Sequence, residues 1–300
     1  MINTILGNSL YSCLYGADID MIRLTHSCLC IMMASALVCF LVSEITRNYS
    51  QVDKLWSLLP AVYSILVVTK FPLPRLFIMS ILVITWSLRL SYNLYRKGGY
   101  DIIPWKGDED YRWKILRQHS FLKGRIRFGL FNLLFIAFYQ NLLIFLFSSP
   151  LLIVAHNRDS GLNLFDFATA LLMILFIIIE TVADNQQYRF QLLKRGMATA
   201  SGRYRASLKQ GFISEGLWRH VRHPNFAAEQ AIWISFYFFG VAASGKLINW
   251  TISGPILLVF LFIGSTRLTE NISSKKYAGY EAYKKEVPKF IPVFFRSKKK

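Results

Sequence analysis

Cysteine and charge are both scarce in this chain of 300 residues. The four cysteines lie within the first 39 positions, and the Cys28-x-Cys30 spacing neither suits a zinc pair nor has a partner pair downstream. We therefore predict no metal site and no disulfide framework. Charged residues make up only 17% of the chain, below the roughly 25% of a soluble domain. This shortage disfavours a soluble globular protein.

Internal repeats and low-complexity tracts are also missing, which excludes repeat architectures. The N-terminus lacks the pattern of a signal peptide, because Asp18, Asp20 and Arg23 precede the first apolar run. We expect residues 1–27 to form an N-terminal lead-in and residues 28–300 to form a single membrane domain.

Long apolar runs take the place of charge, since 54% of residues are hydrophobic. A helix needs about 20 apolar residues to cross a bilayer. Seven runs qualify as candidate spans: 28–46, 55–70, 75–95, 126–154, 162–183, 226–243 and 247–266. Asn141 and Pro150 interrupt the fourth run, which we expect to end near Phe147. The fold class predicted is an all-α polytopic membrane protein with seven transmembrane helices.

The basic residues are distributed unevenly along the chain. The net charge of +18 could suggest nucleic acid, but 28 of the 35 Lys and Arg fall in 47–54, 96–125, 184–225 and 267–300. In a seven-span protein these segments share one side of the membrane. Cytosolic loops carry such an excess, so we predict the N-terminus outside and the C-terminus in the cytosol. Membrane lipids are expected partners and nucleic acid is not.

Residues 216–229 form the most informative stretch of the chain. A basic run ends at Pro224, and proline is favoured at the first position of a helix. Asn225 and Glu229 then lie four apart, on one face of that helix. Free N–H groups at the helix start, beside Arg222 and His223, predict an anion site. The alternative is a basic stop before a span, with Glu229 paired to a neighbour, but a glutamate inside a membrane helix is typically functional.

A second polar stripe lies at the end of the fifth run. Glu180, Asp184 and Gln187 or Tyr188 fall on one helical face. Ionised carboxylates accept several hydrogen bonds, so this stripe is suited to ribose hydroxyls or amides. The alternative is a solvated helix end.

The early spans carry further polar residues near their cytosolic ends. Arg89 lies inside the third run and needs a partner. We predict that Asp53, at the edge of the second run, pairs with it. Tyr92 and Tyr95 follow Arg89 and are candidate proton donors, although an interfacial aromatic belt explains them equally well.

Several of these segments also match a known family in spacing. They are 216–229, Ala183-Asp184 with Phe190, Tyr204-Arg205, and Tyr277 followed by Phe290-Ile291-Pro292. On these residues the chain resembles the steroid 5-alpha-reductase superfamily of membrane reductases from about residue 45 onward. It is most similar to an uncharacterised branch with an Arg-His-Pro-Asn motif, which residues 109–113 and 52–56 also match. Phe226 and Ala228 depart from that branch, which has Tyr and Gly there.

The resemblance implies NADPH-dependent reduction of a carbon–carbon double bond in a steroid or other lipid. Residues 28–125 would then form the substrate side and 162–300 the cofactor side. Asp53, Tyr92 and Tyr95 occupy the regions of the family's catalytic residues without a strict match. The cofactor-binding residues implied are Glu180, Asp184, Tyr204, Arg205, Trp218, Arg222, His223, Asn225, Glu229 and Tyr277. Arg205 and Arg222 are expected at the phosphates, because guanidinium groups bind a 2′-phosphate well.

Two other functions stay open. Isoprenylcysteine carboxyl methyltransferases and related lipid methyltransferases resemble the same Arg-His-Pro region and bind S-adenosylmethionine. A non-catalytic lipid-binding protein of the same fold is the other alternative. The basic tail 296–300 resembles a retrieval signal, so we expect the endoplasmic reticulum, or the inner membrane if the protein is bacterial.

Overall fold

The computed structural model describes residues 19–103, 105–199 and 202–292, and within them it contains helices and no strand. Seven helical segments are long and apolar enough to cross a membrane, which confirms the predicted fold class. We number them spans 1 to 7: Ile19–Thr46, Gln51–Lys70, Pro74–Tyr95, Arg125–His156, Leu164–Lys194, Pro224–Ser244 and Trp250–Lys276. Their outer faces expose large apolar side chains, among them Ile81, Leu171 and Phe260, as expected for an integral membrane protein in contact with lipid.

Thirteen α-helices build the described part of the chain. Their bounds are α1 Ile19–Thr46, α2 Gln51–Trp56, α3 Leu59–Lys70, α4 Pro74–Tyr95, α5 Tyr111–Gln118, α6 Arg125–Phe131, α7 Gln140–Ser148, α8 Pro150–His156, α9 Leu164–Lys194, α10 Arg205–Gln210, α11 Pro224–Ser244, α12 Ser253–Lys276 and α13 Tyr280–Glu286. A π-helix, Asn132–Tyr139, joins α6 to α7, and short 3-10 helices cover Gly202–Tyr204, Gly216–Arg219 and Trp250–Ile252.

Several span boundaries differ from the apolar runs. Span 1 begins at Ile19, so residues 19–27 of the predicted lead-in form its first turns, and residues 1–18 lie outside the described part. The expected end of span 4 near Phe147 is wrong, because Pro150 occupies the first position of α8 and the helix continues to His156. Proline is tolerated there because a first-turn N–H has no partner in its own helix.

Span 4 also keeps its intramembrane amide satisfied in part. Asn141 donates from Nδ2 to the carbonyl of Ala137 in its own helix, at 2.7 Å. A polar residue in mid-span therefore does not end the helix. Spans 5 and 7 likewise run on to Lys194 and Lys276, beyond their apolar runs, through polar turns that hydropathy does not count.

Aromatic side chains fill the centre of the bundle. Trp86 of span 3 and Trp233 of span 6 meet edge to face at 4.8 Å, and Phe147 of span 4 packs on Trp233 at 4.1 Å. Span 7 approaches span 4 closely at Gly254, where an added Cβ would lie 2.5 Å from the carbonyl oxygen of Leu146. Burial of such rings and the close helix contact hold spans 3, 4, 6 and 7 together.

An ion pair ties spans 3 and 5 at one end of the bundle. Arg75 donates to both carboxylate oxygens of Asp166, at 2.6 and 2.8 Å, and to the carbonyl of Gly161 at 2.6 Å. Asp166 in turn completes a capping box with Asn163 at the start of α9. This end therefore has its buried charges paired within the protein.

At the other end, the 96–118 segment folds back over the start of span 2. Asn48 donates from Nδ2 to the carbonyl of Gly107 at 2.9 Å, and Arg117 pairs with Glu109 at 2.6 Å. Asp110 caps α5 by accepting the N–H of Arg112. These contacts fix the segment beside the start of span 2 and the end of span 3. The polar residues predicted from the sequence lie in the same region.

Candidate functional site

Span 3 presents Trp86, Arg89 and Asn93 on one face, because these positions are three and four residues apart. That face lies against spans 5 and 6. Arg89 reaches span 5, where Nη2 lies 2.8 Å from Oε1 of Glu180 and Nη1 lies 2.9 Å from Oδ2 of Asp184. The guanidinium is 11% exposed, so a buried cation is held between carboxylates on successive turns of one helix.

The predicted pair between Asp53 and Arg89 is therefore wrong. Asp53 instead accepts a hydrogen bond from Nε1 of Trp113, at 3.3 Å, and faces Asp110 and Arg112. The reason is how each helix is rotated about its own axis. Asp53 lies on the side of α2 that the 96–118 segment covers, whereas Arg89 points to span 5.

Asp184, on span 5, contacts side chains from spans 3 and 6. Its Oδ2 accepts from Nδ2 of Asn93 at 2.8 Å as well as from Arg89, and its Oδ1 accepts from Nδ2 of Asn225 at 3.3 Å. Lys97, just beyond span 3, places Nζ 3.9 Å from Oδ1. The acidic stripe and the Pro224 helix, predicted separately from the sequence, thus meet at this carboxylate.

Lys97 lies at the exposed side of the cluster. Burial lowers the pKa of its ammonium group, and the nearby charge of Asp184 opposes that effect without cancelling it. Lys97 is thus a basic side chain at the boundary between the cluster and the loop that follows span 3.

Glu229 lies deeper in the bundle and is surrounded by tryptophans. Its carboxylate accepts indole N–H groups from Trp86 at 2.9 Å, from Trp233 at 3.1 Å and from Trp56 at 3.4 Å. The side chain is buried, with 4% of the residue exposed. The glutamate expected to be functional is thus fixed by spans 2, 3 and 6 together.

Three acceptor oxygens in this region have no donor among the described residues. They are Oε2 of Glu180, Oδ1 of Asn225 and Oε1 of Gln187. Buried polar atoms are normally hydrogen-bonded, so unpaired acceptors mark places where a ligand can donate. We call Arg89, Asn93, Glu180, Asp184, Asn225 and Glu229 the Arg89 cluster.

The start of span 6 is held in place by the C-terminal segment. Arg222 donates from Nε to Oε1 of Glu270 at 2.8 Å, and His223 Nε2 lies 3.0 Å from the same oxygen. The backbone N–H groups of Arg222 and His223 donate to the carbonyls of Pro288 and Lys289. Both side chains are buried and hydrogen-bonded to Glu270. Their partner in the structure is therefore a protein group, whereas the sequence predicts a phosphate at Arg222.

A glycine allows the loop before span 6 to pass close to span 5. Gly216 has a φ of +64°, and a Cβ there would lie 2.6 Å from Oε1 of Gln186, which accepts the N–H of Leu217 at 3.0 Å. Trp218 donates from Nε1 to the carbonyl of Ala183 at 3.2 Å. This predicted residue therefore contacts the turn that carries Asp184.

The other predicted cofactor residues lie further out. Tyr204 is buried against Trp218, in a small core with Phe190, whereas Arg205 is exposed on α10. Tyr277 accepts a hydrogen bond from Nζ of Lys194 at 2.8 Å. None of the three enters the Arg89 cluster.

The two tyrosines proposed as proton donors are on the surface of span 3. Tyr92 is 62% exposed and Tyr95 is 66% exposed. The guanidinium of Arg96 lies 5.5 Å from the Tyr92 ring centroid. The structure does not bring either hydroxyl to the Arg89 cluster.

Of the two residues that depart from the motif of the resembling branch, Phe226 has a role in packing. Phe226 stacks on His223, with ring centroids 5.7 Å apart, and packs on Phe262 at 4.8 Å, so its apolar ring is used in packing between spans 6 and 7. Ala228 is buried at 2% exposure.

Sequence reasoning missed Trp86, Asn93, Trp233 and Glu270 as members of this region. The first two could have been found, because they share the helical face of Arg89. Glu270 gave no signal, because its partners Arg222 and His223 are distant in the chain. Among the described residues no group of three or more His, Cys, Asp or Glu could hold a metal ion.

Two comparisons with known proteins found a match. The profile of the family described as a protein of unknown function (DUF1295) matches residues 39–287. An uncharacterized protein of Schizosaccharomyces pombe is 39% identical over 263 residues, which are 84% of this chain and 74% of that protein. No solved structure matches the chain.

Proposed function

This chain belongs to the DUF1295 family, and we propose that it reduces a carbon–carbon double bond in a steroid or other lipid with NADPH. The observation that carries the proposal is the Arg89 cluster, with the unpaired oxygens of Glu180 and Asn225 in it and that of Gln187 on the same helix as Asp184. A carboxamide N–H₂ and ribose hydroxyls are donors that such oxygens accept. The cluster lies at the end of the bundle where the basic loops gather, which suits a phosphate-bearing ligand.

The residues present fit such a dinucleotide in kind. Asn225 and Gln187 offer amide oxygens, and Asp184 offers a carboxylate that is already oriented by Arg89 and Asn93. Asn225, at the start of α11, meets Asp184, and the first N–H groups of a helix favour an anion. Arg205 is exposed and stays our prediction for a phosphate contact, whereas Arg222 has Glu270 as its partner.

NADPH supplies a hydride when it is bound. The protein must then orient the cofactor and provide a proton. In our proposal Asn225 and Asp184 hold the nicotinamide end, and Trp56, Trp86 and Trp233 fix Glu229 behind it. The substrate enters from the lipid between the early spans, on the 28–125 side, and the endoplasmic reticulum is the proposed membrane.

One observation favours S-adenosylmethionine as a second candidate. Glu180 and Asp184 contact Arg89, and tryptophan rings lie beside Glu229. A sulfonium cation is stabilised by such carboxylates and rings. The chain would then transfer a methyl group to a lipid.

Calorimetry on the detergent-solubilised full chain distinguishes these candidates. We expect NADPH to bind more tightly than NADH, and S-adenosylmethionine to bind weakly. The purified protein is then incubated with NADPH and a 4-en-3-one steroid or an α,β-unsaturated lipid aldehyde, and product mass reports the gain of two hydrogens. Binding of S-adenosylmethionine alone would replace the proposal. Binding of NADPH without reduction of any such substrate would favour the non-catalytic alternative.

A further inference from the structure

The chain that leads into span 4 carries positive charge without acid. Between Arg112 and Asp159 the sequence has no Asp or Glu, whereas Lys123, Arg125 and Arg127 lie close together. All three side chains are exposed, at the point where the chain enters span 4. The span 4 entry patch is defined by these cations and the apolar residues among them: Phe121, Lys123, Arg125, Ile126 and Arg127.

Neighbouring arginines differ from the patch, because they have carboxylate partners. Arg112 pairs with Asp110 at 2.9 Å, and Arg117 pairs with Glu109 at 2.6 Å. The three cations of the patch have no ion pair with another residue that the structure describes. Water can solvate exposed cations, so what they bind depends on the surface around them.

The acid that lies against the start of span 4 is engaged elsewhere. Oε1 of Glu44 accepts from Nδ2 of Asn132 at 3.0 Å, and its Oε2 lies 3.2 Å from Nη1 of Arg47. Outside the described residues the sequence holds one further acid, Asp18. It directly precedes span 1, whose other end carries Glu44. An anion at the patch must therefore come from outside the chain.

Large apolar side chains accompany the cations. Phe121 is 78% exposed and Ile126 is 79% exposed. Ile126 is followed at four-residue spacing by Leu130 and Leu134, which are 54% and 63% exposed along span 4. Gly124 has nothing within 4 Å of the position that a Cβ would take, apart from its chain neighbours. The apolar part of the patch is thus uncovered by described residues and continuous with the lipid-facing side of span 4.

This combination of side chains fits the boundary between acyl chains and headgroups. Apolar residues enter the acyl region, and Lys and Arg lay their methylene stems along apolar surface while their charged ends reach the headgroups. Basic residues next to a membrane helix attract anionic lipid, each by a factor of roughly five. A zwitterionic headgroup has no net charge and lacks this attraction.

We propose that the span 4 entry patch is a binding site for anionic phospholipid. Phe121 and Ile126 lie among the acyl chains of the leaflet at this end of the bundle, and Lys123, Arg125 and Arg127 contact the headgroup phosphates. The site goes beyond general contact with lipid, because it selects headgroups by charge. It is independent of the proposed reductase function.

Photo-crosslinking from within the patch tests this site. The full chain is made with p-benzoyl-phenylalanine in place of Phe121, inserted into vesicles of equal parts phosphatidylserine and phosphatidylcholine, and irradiated. The mass of the adduct identifies the captured lipid. We expect phosphatidylserine to be captured over phosphatidylcholine by about fivefold or more.

Removal of the charge should abolish that preference. Lys123→Gln, Arg125→Gln and Arg127→Gln together leave the apolar residues in place, and these positions are exposed, so the fold should persist. The capture ratio should then fall to about one. As a control, the same crosslinker at Leu171 should capture both lipids equally, because Leu171 is 68% exposed on span 5 in a stretch without charged residues.

Three outcomes would overturn the proposal. Equal capture by the parent, or an excess that survives loss of the three cations, would show that charge does not select the lipid. Crosslinks to protein and none to lipid would show a protein partner at the patch. If the triple variant does not fold, the parent is tested in about 1 M salt, which screens charges beyond about 3 Å. An unchanged excess of phosphatidylserine there would also reject the site.

Discussion

At the scale of single residues, Arg89 binds span 3 to span 5 through carboxylates one turn apart. Removing one partner of a buried ion pair leaves an uncompensated charge and costs about 3–5 kcal/mol. We therefore expect Arg89→Leu to lower the unfolding free energy by about that amount, measured by thermal unfolding in detergent. The control Arg205→Leu, at an exposed position, should change it by less than about 0.5 kcal/mol. Equal melting of Arg89→Leu and the parent would show that the pair is not stabilising.

Asn225 and Glu229 provide the residue-scale test of cofactor binding. If they hold the nicotinamide end, loss of a hydrogen bond to a charged group costs roughly 1.5–3 kcal/mol. Asn225→Ala and Glu229→Gln should then weaken NADPH binding by roughly ten- to a hundredfold, measured by calorimetry. Ser235→Ala is the matched control on the same helix, because its hydroxyl donates to the carbonyl of Ala231 in that helix. Unchanged affinity in both variants would show that the start of α11 only anchors the chain in the membrane.

The residue scale is also where sequence reasoning was least complete. Asn225 and Glu229 could be recognised, because the Pro224 helix start and the four-residue spacing are local. The partner of Arg89 could not, because it depends on how span 3 is rotated about its axis. Glu180 and Asp53 were both acidic residues at plausible depths, and only packing decides which of them faces span 3.

At the scale of elements, the 96–118 segment depends on the cap of α5. Burial alone would raise the pKa of Asp110, but the charge and hydrogen bonds of Arg112 outweigh it and lower that pKa. A carboxyl with a depressed folded pKa contributes stability above its unfolded pKa of about 3.9 and loses it as pH falls through the folded value. Acidification should therefore loosen α5.

Asp110→Asn isolates that charge, because asparagine caps a helix about as well as aspartate. We expect it to raise hydrogen exchange in 111–118 at neutral pH by an amount equivalent to less than about 1 kcal/mol, since the pair with Arg112 is partly exposed. The difference from the parent, corrected for intrinsic exchange rates, should shrink as pH falls below about 3.9 and the carboxylate of Asp110 takes up a proton. Asp159→Asn, an exposed position at the other end of the bundle, serves as control. A difference that persists at low pH would show that the charge of Asp110 is not its cause.

The helices that could be predicted from the sequence are those that an apolar run defines. All seven spans follow from apolar runs, yet spans 5 and 7 extend to Lys194 and Lys276 through polar residues. Those extensions carry Asp184 and Glu270, which join the site and its support. Hydropathy ignores helices outside the bilayer, so Asp184 and Glu270 fall outside the predicted runs, whereas Arg89, Glu180 and Glu229 fall within them.

For the whole molecule, the distribution of basic residues predicts an orientation. Single cysteines at Lys209 and Lys246, both exposed, can be labelled with an impermeant maleimide in a variant whose own cysteines are replaced. In sealed vesicles with the cytosolic face outward, we expect Lys209→Cys to react and Lys246→Cys to react only after detergent is added. The reverse pattern would invert the predicted topology and place the Arg89 cluster at the opposite side of the membrane.

The contact between the C-terminal segment and the start of span 6 has a consequence for biosynthesis. Arg222 leaves the ribosome long before its partner Val287, which lies 65 positions later. While that gap is being translated, Arg222 and His223 are held near the membrane without Pro288 and Lys289. These contacts therefore form only after all seven spans have been made. A nascent chain arrested before residue 287 would contain every span but would lack the contacts of Val287, Pro288 and Lys289 with the start of span 6.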